Sequence, residues 1–228
     1  MIFLDSSKLE EVRKYEELGI ITGVTTNPSI MTKDGVPHSY EAIKQRAGEI
    51  ADIVAPKPVS VEVLSNDPKE MKLQAKEFSK IAQNINIKIT FHGPNGELEN
   101  LKLIRYLRQH EISVNCTAMM NALQCLIASK AGASYASLFG GRVNNMGYNT
   151  IEEIKKTRYL FDSFNCPTEI IMGSVREPLN IVEWLCAGAD IITVPPSVLE
   201  KALVHPYTKE TVQMFVTDGK NFLKTLKK

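Results

Sequence analysis

In the run Asn84-Ile-Asn-Ile-Lys-Ile-Thr-Phe-His-Gly93, one cationic side chain, Lys88, interrupts an isoleucine-rich pattern. Period-2 alternation puts Ile85, Ile87 and Ile89 on one face of a strand and Asn86, Lys88 and Thr90 on the other. A lysine directed into a closed sheet loses its water, which favours the free amine over the ammonium. A confined free amine can condense with a ketone to give a Schiff base. The plainer reading is a strand-end lysine paired with a carboxylate.

Other polar residues recur where short apolar runs end. Asp5 follows the first run, Thr25, Thr26 and Asn27 close the second, and Glu62 lies late in the third. Asn115 and Thr117 follow the fifth, Ser137 the sixth, and Ser174 and Arg176 the seventh. Taken singly, each has an ordinary explanation. Asp5 could cap the helix near Ser7, Asn27 before Pro28 could be a turn residue, and Glu62 could simply pair with Lys88. Thr25 and Thr26 could fill a strand, and Arg142 and Arg176 could be surface arginines. Both arginines, however, stand just past strand ends beside glycines or serines, as an anion pocket requires. Cys116 reads as buried filler, and His92, after Lys88, is a candidate to line the site. Polar residues at seven successive strand ends, most able to ionise or hydrogen-bond, describe a binding cavity.

The elements that must position these residues are eight β-like runs. They are Ile2-Leu4, Gly23-Thr25, Ser60-Val63, Ile85-Ile89, Ser113-Asn115, Tyr135-Leu138, Glu169-Met172 and Ile191-Val194. Amphipathic segments separate most of them, such as Ser7-Leu18 and Asn100-His110; in the latter, Leu101, Ile104, Leu107 and Arg108 recur at helical spacing. Strands alternating with helices imply parallel pairing and right-handed crossovers, and eight units imply an α/β fold of the closed (β/α)8 barrel type. That fold demands catalytic groups at C-terminal strand ends, where the polar residues fall. Pro195-Pro196 breaks the chain, Ser197-Val204 should be helical, and residues 209–228 should form a basic-ended C-terminal helix that closes the barrel or packs on a neighbouring subunit. The expectation is one domain over residues 1–228.

The chain has 228 residues, and its 27 Lys and Arg nearly balance 26 Asp and Glu. That balance argues against a nucleic-acid-binding protein and leaves room for a local basic pocket. The four cysteines show neither a C-x-x-C pair nor zinc spacing, as expected of a reduced compartment. No apolar run approaches the ~20 residues of a membrane span, and the start lacks a basic leader and apolar core, so the expected location is the cytoplasm.

Specific blocks carry a family resemblance from Phe3 to about Thr208. They include Phe3-Leu-Asp-Ser, Gly23-Val-Thr-Thr-Asn-Pro-Ser29, Val59-Ser-Val-Glu-Val63, Ile87-Lys-Ile89 and Val114-Asn-Cys-Thr117. Further blocks are Ser137-Leu-Phe-Gly-Gly-Arg142, Gly173-Ser-Val-Arg176 and Thr193-Val-Pro195. The sequence resembles the small transaldolase and fructose-6-phosphate aldolase family. The resemblance implies a barrel with the Schiff-base lysine, Lys88, on its fourth strand, and no metal or organic cofactor, because the iminium is the electron sink. It further implies Asp5 as the acid/base group and Glu62 with Thr117 as holders of a proton-shuttling water. Asn27 and Asn115 would bind substrate hydroxyls, Thr25 would contact substrate weakly, and Phe139 would wall the cavity. Ser137, Ser174, Arg142 and Arg176 would hold a phosphate. Implied partners are phosphorylated sugars and copies of the same chain, as a pentamer or decamer, with neither nucleic acid nor membrane.

Aldolase-type relatives carry Gln and Tyr where this sequence has Glu62 and Phe139. The Glu/Phe pair resembles the transaldolase type of the pentose phosphate pathway, which passes a dihydroxyacetone unit to an aldose phosphate. The alternatives are an aldolase acting on fructose 6-phosphate or another anionic sugar, and a non-catalytic sugar-phosphate-binding barrel. Departures from the family pattern occur at Thr90, His92, Leu138, Gly140, Asn144 and Asn145, and they are expected at the mouth of the site.

Overall fold

A computed structural model describes residues 1–226. Eight parallel strands pair in sequence order and close on themselves. They are β1 (Ile2–Asp5), β2 (Gly23–Thr25), β3 (Val59–Glu62), β4 (Ile85–Thr90), β5 (Val114–Met119), β6 (Tyr135–Phe139), β7 (Glu169–Gly173) and β8 (Ile191–Val194). The helices are α1 (Leu9–Glu17), α2 (Pro28–Lys33), α3 (Tyr40–Val54), α4 (Pro68–Phe78), α5 (Glu99–Gln109) and α6 (Ala122–Ala131). They continue as α7 (Gly140–Asn145), α8 (Thr150–Ser163), α9 (Pro178–Cys186), α10 (Pro196–Leu203) and α11 (Pro206–Thr225). This is the (β/α)8 barrel that the alternation of runs implied.

Strand pleating sorts the side chains into two environments. Outward-facing Leu4, Val24, Val61, Ile87, Cys116, Leu138, Met172 and Val194 join one large cluster with the helices. Inside the barrel, Phe3, Ile171 and Ile191 form a separate apolar plug with Tyr135 packed against it. Gly23 is required there: a Cβ would sit 2.6 Å from the Phe3 ring and 2.8 Å from the Pro58 carbonyl. Further toward the C-terminal strand ends, the interior turns polar, as β-strand alternation with Phe3 and Asp5 on one face dictates. The plug fills one end of the barrel and leaves the other for polar chemistry.

Local signals end the helices where they should. Asn27 Oδ1 accepts from the Ile30 N–H at 2.8 Å with Pro28 in the first turn, Ser39 caps α3, Asp67 caps α4 and Asn121 caps α6. Gly132 ends α6 at φ 106°. The buried face of α5 is Asn100, Leu103, Ile104 and Leu107. Arg108 is therefore not on that face; it is exposed, with its stem laid beside Gly132. The segment expected over 209–228 begins earlier, at Pro206, and Lys227 and Lys228 lie outside the described residues.

Candidate active site

Register brings the chemistry together. Glu62 pairs with Lys88 across β3 and β4, and Lys88 pairs with Asn115 across β4 and β5. Lys88 is 5% exposed, with its Nζ 3.1 Å from Glu62 Oε2 and donating to the Thr26 carbonyl at 3.1 Å. Beside it, Ser137 donates to Asn115 Oδ1 at 2.7 Å, and Asn115 Nδ2 donates to Ser60 at 3.1 Å. On the opposite arc, Thr25 Oγ1 donates to Asp5 Oδ1 at 2.8 Å and hydrogen-bonds to the Thr193 hydroxyl. Thr117 Oγ1 is buried without a partner among the described residues. Burial without a hydrogen bond is costly, so an orphan hydroxyl in a polar layer marks a place for water or ligand.

These groups surround a cavity of about 40 Å³, lined by Asp5, Thr25, Asn27, Lys88, Asn115, Thr117, Ser137, Phe139, Gly173, Ser174 and Thr193. The volume suits about one water, so a sugar must extend toward the mouth. Glu62, 3.1 Å from the Lys88 amine, is not part of this lining. A larger cavity of about 600 Å³ lies against α7 and is lined by Met120, Asn121, Arg142, Val143, Asn145, Met146, Tyr148 and Glu153. It holds none of the Lys88 layer, so the smaller cavity is the one that can carry carbonyl chemistry.

Neither arginine lines the small cavity; both are solvent-exposed, Arg142 in the wall of the larger cavity and Arg176 just past Ser174 in the loop after β7. The Arg142 guanidinium lies 5.9 Å from the centroid of the Phe139 ring, a cation–π distance. Arg176 is held by its backbone N–H, which donates to Asn180 Oδ1 at 3.1 Å. Neither guanidinium has an acid or hydrogen-bond partner among the described residues. Gly141 brings their elements together: a Cβ there would fall 2.0 Å from the Ser174 carbonyl and 3.1 Å from Arg176 Cγ. Ser174 itself adopts φ 61°, a left-handed conformation that turns β7 sharply into its loop.

Electrostatics set Asp5 apart. Burial raises its carboxyl above the ordinary 3.8; the Lys88 charge and the Thr25 hydrogen bond oppose that rise, and Asp34 and Glu62 reinforce it. Burial also pushes the Cys116 thiol up, which leaves it no thiolate for nucleophilic attack. Among the described residues, no three His, Cys, Asp or Glu side chains gather to hold a metal ion.

Of the residues singled out in the sequence, Asp5, Thr25, Asn27, Asn115, Thr117, Ser137, Phe139 and Ser174 line the cavity with Lys88, Glu62 touches Lys88, and Arg142 and Arg176 lie outside the lining. Asp5 caps no helix, since Lys8 occupies the N-cap of α1. Asn27 does two jobs, capping α2 and lining the cavity. His92 is exposed with its ring at Gly93 O, and it takes no part in the lining. Not all the departures lie at the mouth as expected. Thr90 ties β4 to Asn100, Leu138 faces the outer core, and Asn144 accepts from the N–H and hydroxyl of Thr150. Sequence reasoning gave no role to Thr193 or Ser60, whose inward register was the available signal.

A strand-borne lysine, buried beside carboxylates at the catalytic end of a (β/α)8 barrel, defines the lysine-centred barrels as a class. Within it, this chain matches the Transaldolase/Fructose-6-phosphate aldolase family over residues 2–228 and belongs to that family. It is 41% identical over 217 residues to a probable transaldolase of Clostridium kluyveri, covering 95% of this chain and 96% of the relative. A probable transaldolase of Geobacillus sp. is 39% identical over 216 residues, 95% of this chain and 96% of that one. One of Methanococcus maripaludis is 38% identical over 216 residues, 95% of each. Among solved structures, thiamine phosphate pyrophosphorylase from Pyrococcus furiosus superposes with a TM-score of 0.62 over 88% of this chain and 92% of its own, at 11% identity. That likeness is one of fold alone.

Proposed function

We propose that the protein is a transaldolase that moves a dihydroxyacetone unit from a ketose phosphate, fructose 6-phosphate or sedoheptulose 7-phosphate, to an aldose phosphate. The observation that carries this reading is the buried Lys88 amine, 3.1 Å from Glu62 Oε2 in the polar layer that includes Asp5. Lys88 would give its ammonium proton to Glu62 and attack the ketone carbon. Loss of water from the carbinolamine, with Glu62 and the partnerless Thr117 hydroxyl holding the shuttling water, leaves an iminium. Asp5 then takes the proton of the hydroxyl on the departing fragment. The carbon–carbon bond breaks, an aldose phosphate leaves, and the electron pair is held as an enamine on Lys88. Addition to an acceptor aldehyde and hydrolysis complete the cycle and return the amine.

Asn27 and Asn115 would hold hydroxyls of the retained unit, and Ser137, Ser174, Arg142 and Arg176 the phosphate, with Thr25 a weak contact. The two unpaired guanidiniums support an anionic substrate. Phe139 supports transfer over release, because a phenyl ring has no proton to give the enamine. In this reading residues 1–228 act as one domain in the cytoplasm, within the pentose phosphate pathway, as a homo-oligomer of five or ten chains. Among the described residues no helix is long and apolar enough to cross a membrane.

Borohydride reduction with fructose 6-phosphate should fix a covalent adduct on Lys88, and Lys88→Ala should lose both adduct and turnover while keeping its circular dichroism. Reversible binding without an adduct would favour a non-catalytic binding barrel. Rapid release of free dihydroxyacetone without an acceptor would favour an aldolase.

A further inference from the structure

A carboxyl that both takes and returns a proton needs partners suited to both of its states. Thr25 has one hydroxyl proton and touches two oxygens, Asp5 Oδ1 at 2.8 Å and the hydroxyl of Thr193. While Asp5 is ionised, Thr25 spends its proton on the carboxylate, so Thr193 must donate to Thr25. Once Asp5 is protonated, it can donate to Thr25, which turns its own proton toward Thr193. The two hydroxyls thus form a file whose direction reverses with the state of the carboxyl, and no heavy atom has to move. Thr193 is suited to the outer place in that file. It stands on β8 in register with Phe3 of β1, is 7% exposed, and lines the cavity.

We propose that Thr193 is a positioning residue for proton transfer, its hydroxyl orienting Thr25 onto Asp5 in both directions of the reaction. The inference rests on the acid/base reading of Asp5 given above. The charged groups facing Asp5 are Lys88 on β4, Glu62 on β3 and Asp34 after α2, and all three remain when Thr193 is changed. A hydrogen bond that is itself polarised by a second donor is stronger, so the file supports the ionised carboxylate against its burial. Deleting the outer hydroxyl therefore moves the carboxyl further up.

The test is the pH profile of kcat/KM for carbon–carbon cleavage of fructose 6-phosphate with an aldose-phosphate acceptor. The proteins compared are the full-length parent, Thr193→Val, Thr193→Ala and Thr193→Ser. Activity falls as pH drops through the Asp5 carboxyl. This acid limb should rise by roughly half a pH unit in the valine and alanine variants and stay with the parent in the serine variant. Should the valine variant fail to fold, the alanine–serine contrast decides. Borohydride trapping at Lys88 is read in parallel. A parent that forms no adduct overturns the reading of the site and this inference with it. Adducts throughout, with unmoved limbs in valine and alanine or a serine limb moved as far as alanine's, overturn the role of Thr193 alone.

Discussion

Burial raises the Asp5 carboxyl, the Lys88 charge and the Thr25 hydrogen bond lower it, and burial wins. The folded group therefore holds its proton to higher pH than the unfolded one, whose ordinary value is 3.8. As pH rises from that value through the raised one, the unfolded chain ionises first, and the fold loses stability across the window. Above it the loss is constant. Asp5→Asn should thus melt higher than the parent at pH 7, by roughly 1–4 °C, and the gap should shrink toward pH 4. The same variant should lose cleavage. A lower melting point at pH 7 would contradict the direction assigned to this carboxyl. Exposed Arg176 has no acid partner among the described residues, so Arg176→Ala should leave stability within about 0.5 kcal/mol. It should weaken phosphorylated ketoses roughly ten- to a hundredfold in kcat/KM while barely changing neutral ones. Equal losses on both kinds of substrate would remove Arg176 from the phosphate site. These residues were visible in the sequence because each is polar where an apolar run ends. Thr193 was not, since a threonine in Ile-Ile-Thr-Val also suits an ordinary strand, and only closure of β8 on β1 shows that it meets Thr25.

Helix α7 shows what glycine can do for an element that propensity would not start. Two successive glycines are poor helix formers, and nothing in Gly140-Gly141 announces a helix. Packing requires them. A Cβ on Gly140 would lie 2.6 Å from Trp184 Cη2 and 2.8 Å from Thr150 Cγ2, and one on Gly141 would strike backbone at Ser174. Gly141→Ala should cost roughly 1–3 kcal/mol by overpacking and should raise KM for phosphorylated substrates, because α7 and the β7 loop carry the two arginines. Wild-type KM in a folded Gly141→Ala protein would sever that link. The strand boundaries were legible to a residue except in β5: β2 and β8 match the expected runs, whereas β5 extends from Val114 to Met119 past its expected end at Asn115. Its register with β6 shifts between Cys116 and Met119, and Ala118 takes φ 62° there. An irregular strand breaks the period-2 pattern by which strands are read.

For the whole molecule, α11 stands apart, since none of its residues is buried. Val212, Phe215, Val216, Phe222, Leu223 and Leu226 recur at helical spacing and are 49–67% exposed. An apolar stripe of that length on an exposed helix asks for a covering surface, and a second copy of the chain is the expected one. Light scattering should find the parent assembled, and a chain ending at His205 should hold fewer copies per particle or be monomeric, with its barrel intact. An unchanged number of subunits per assembly would place the subunit contacts elsewhere. The barrel itself closes late in the chain: β1 pairs with both β2 and β8, and the Met1 carbonyl accepts from the Ile192 N–H at 3.0 Å. A ribosome makes β1 first and β8 last. Until residue 194 has emerged, the nascent sheet has two raw edges, and Asp5 has no Thr193 behind Thr25. Chains stalled before that point would be prone to stick to one another, edge strand to edge strand.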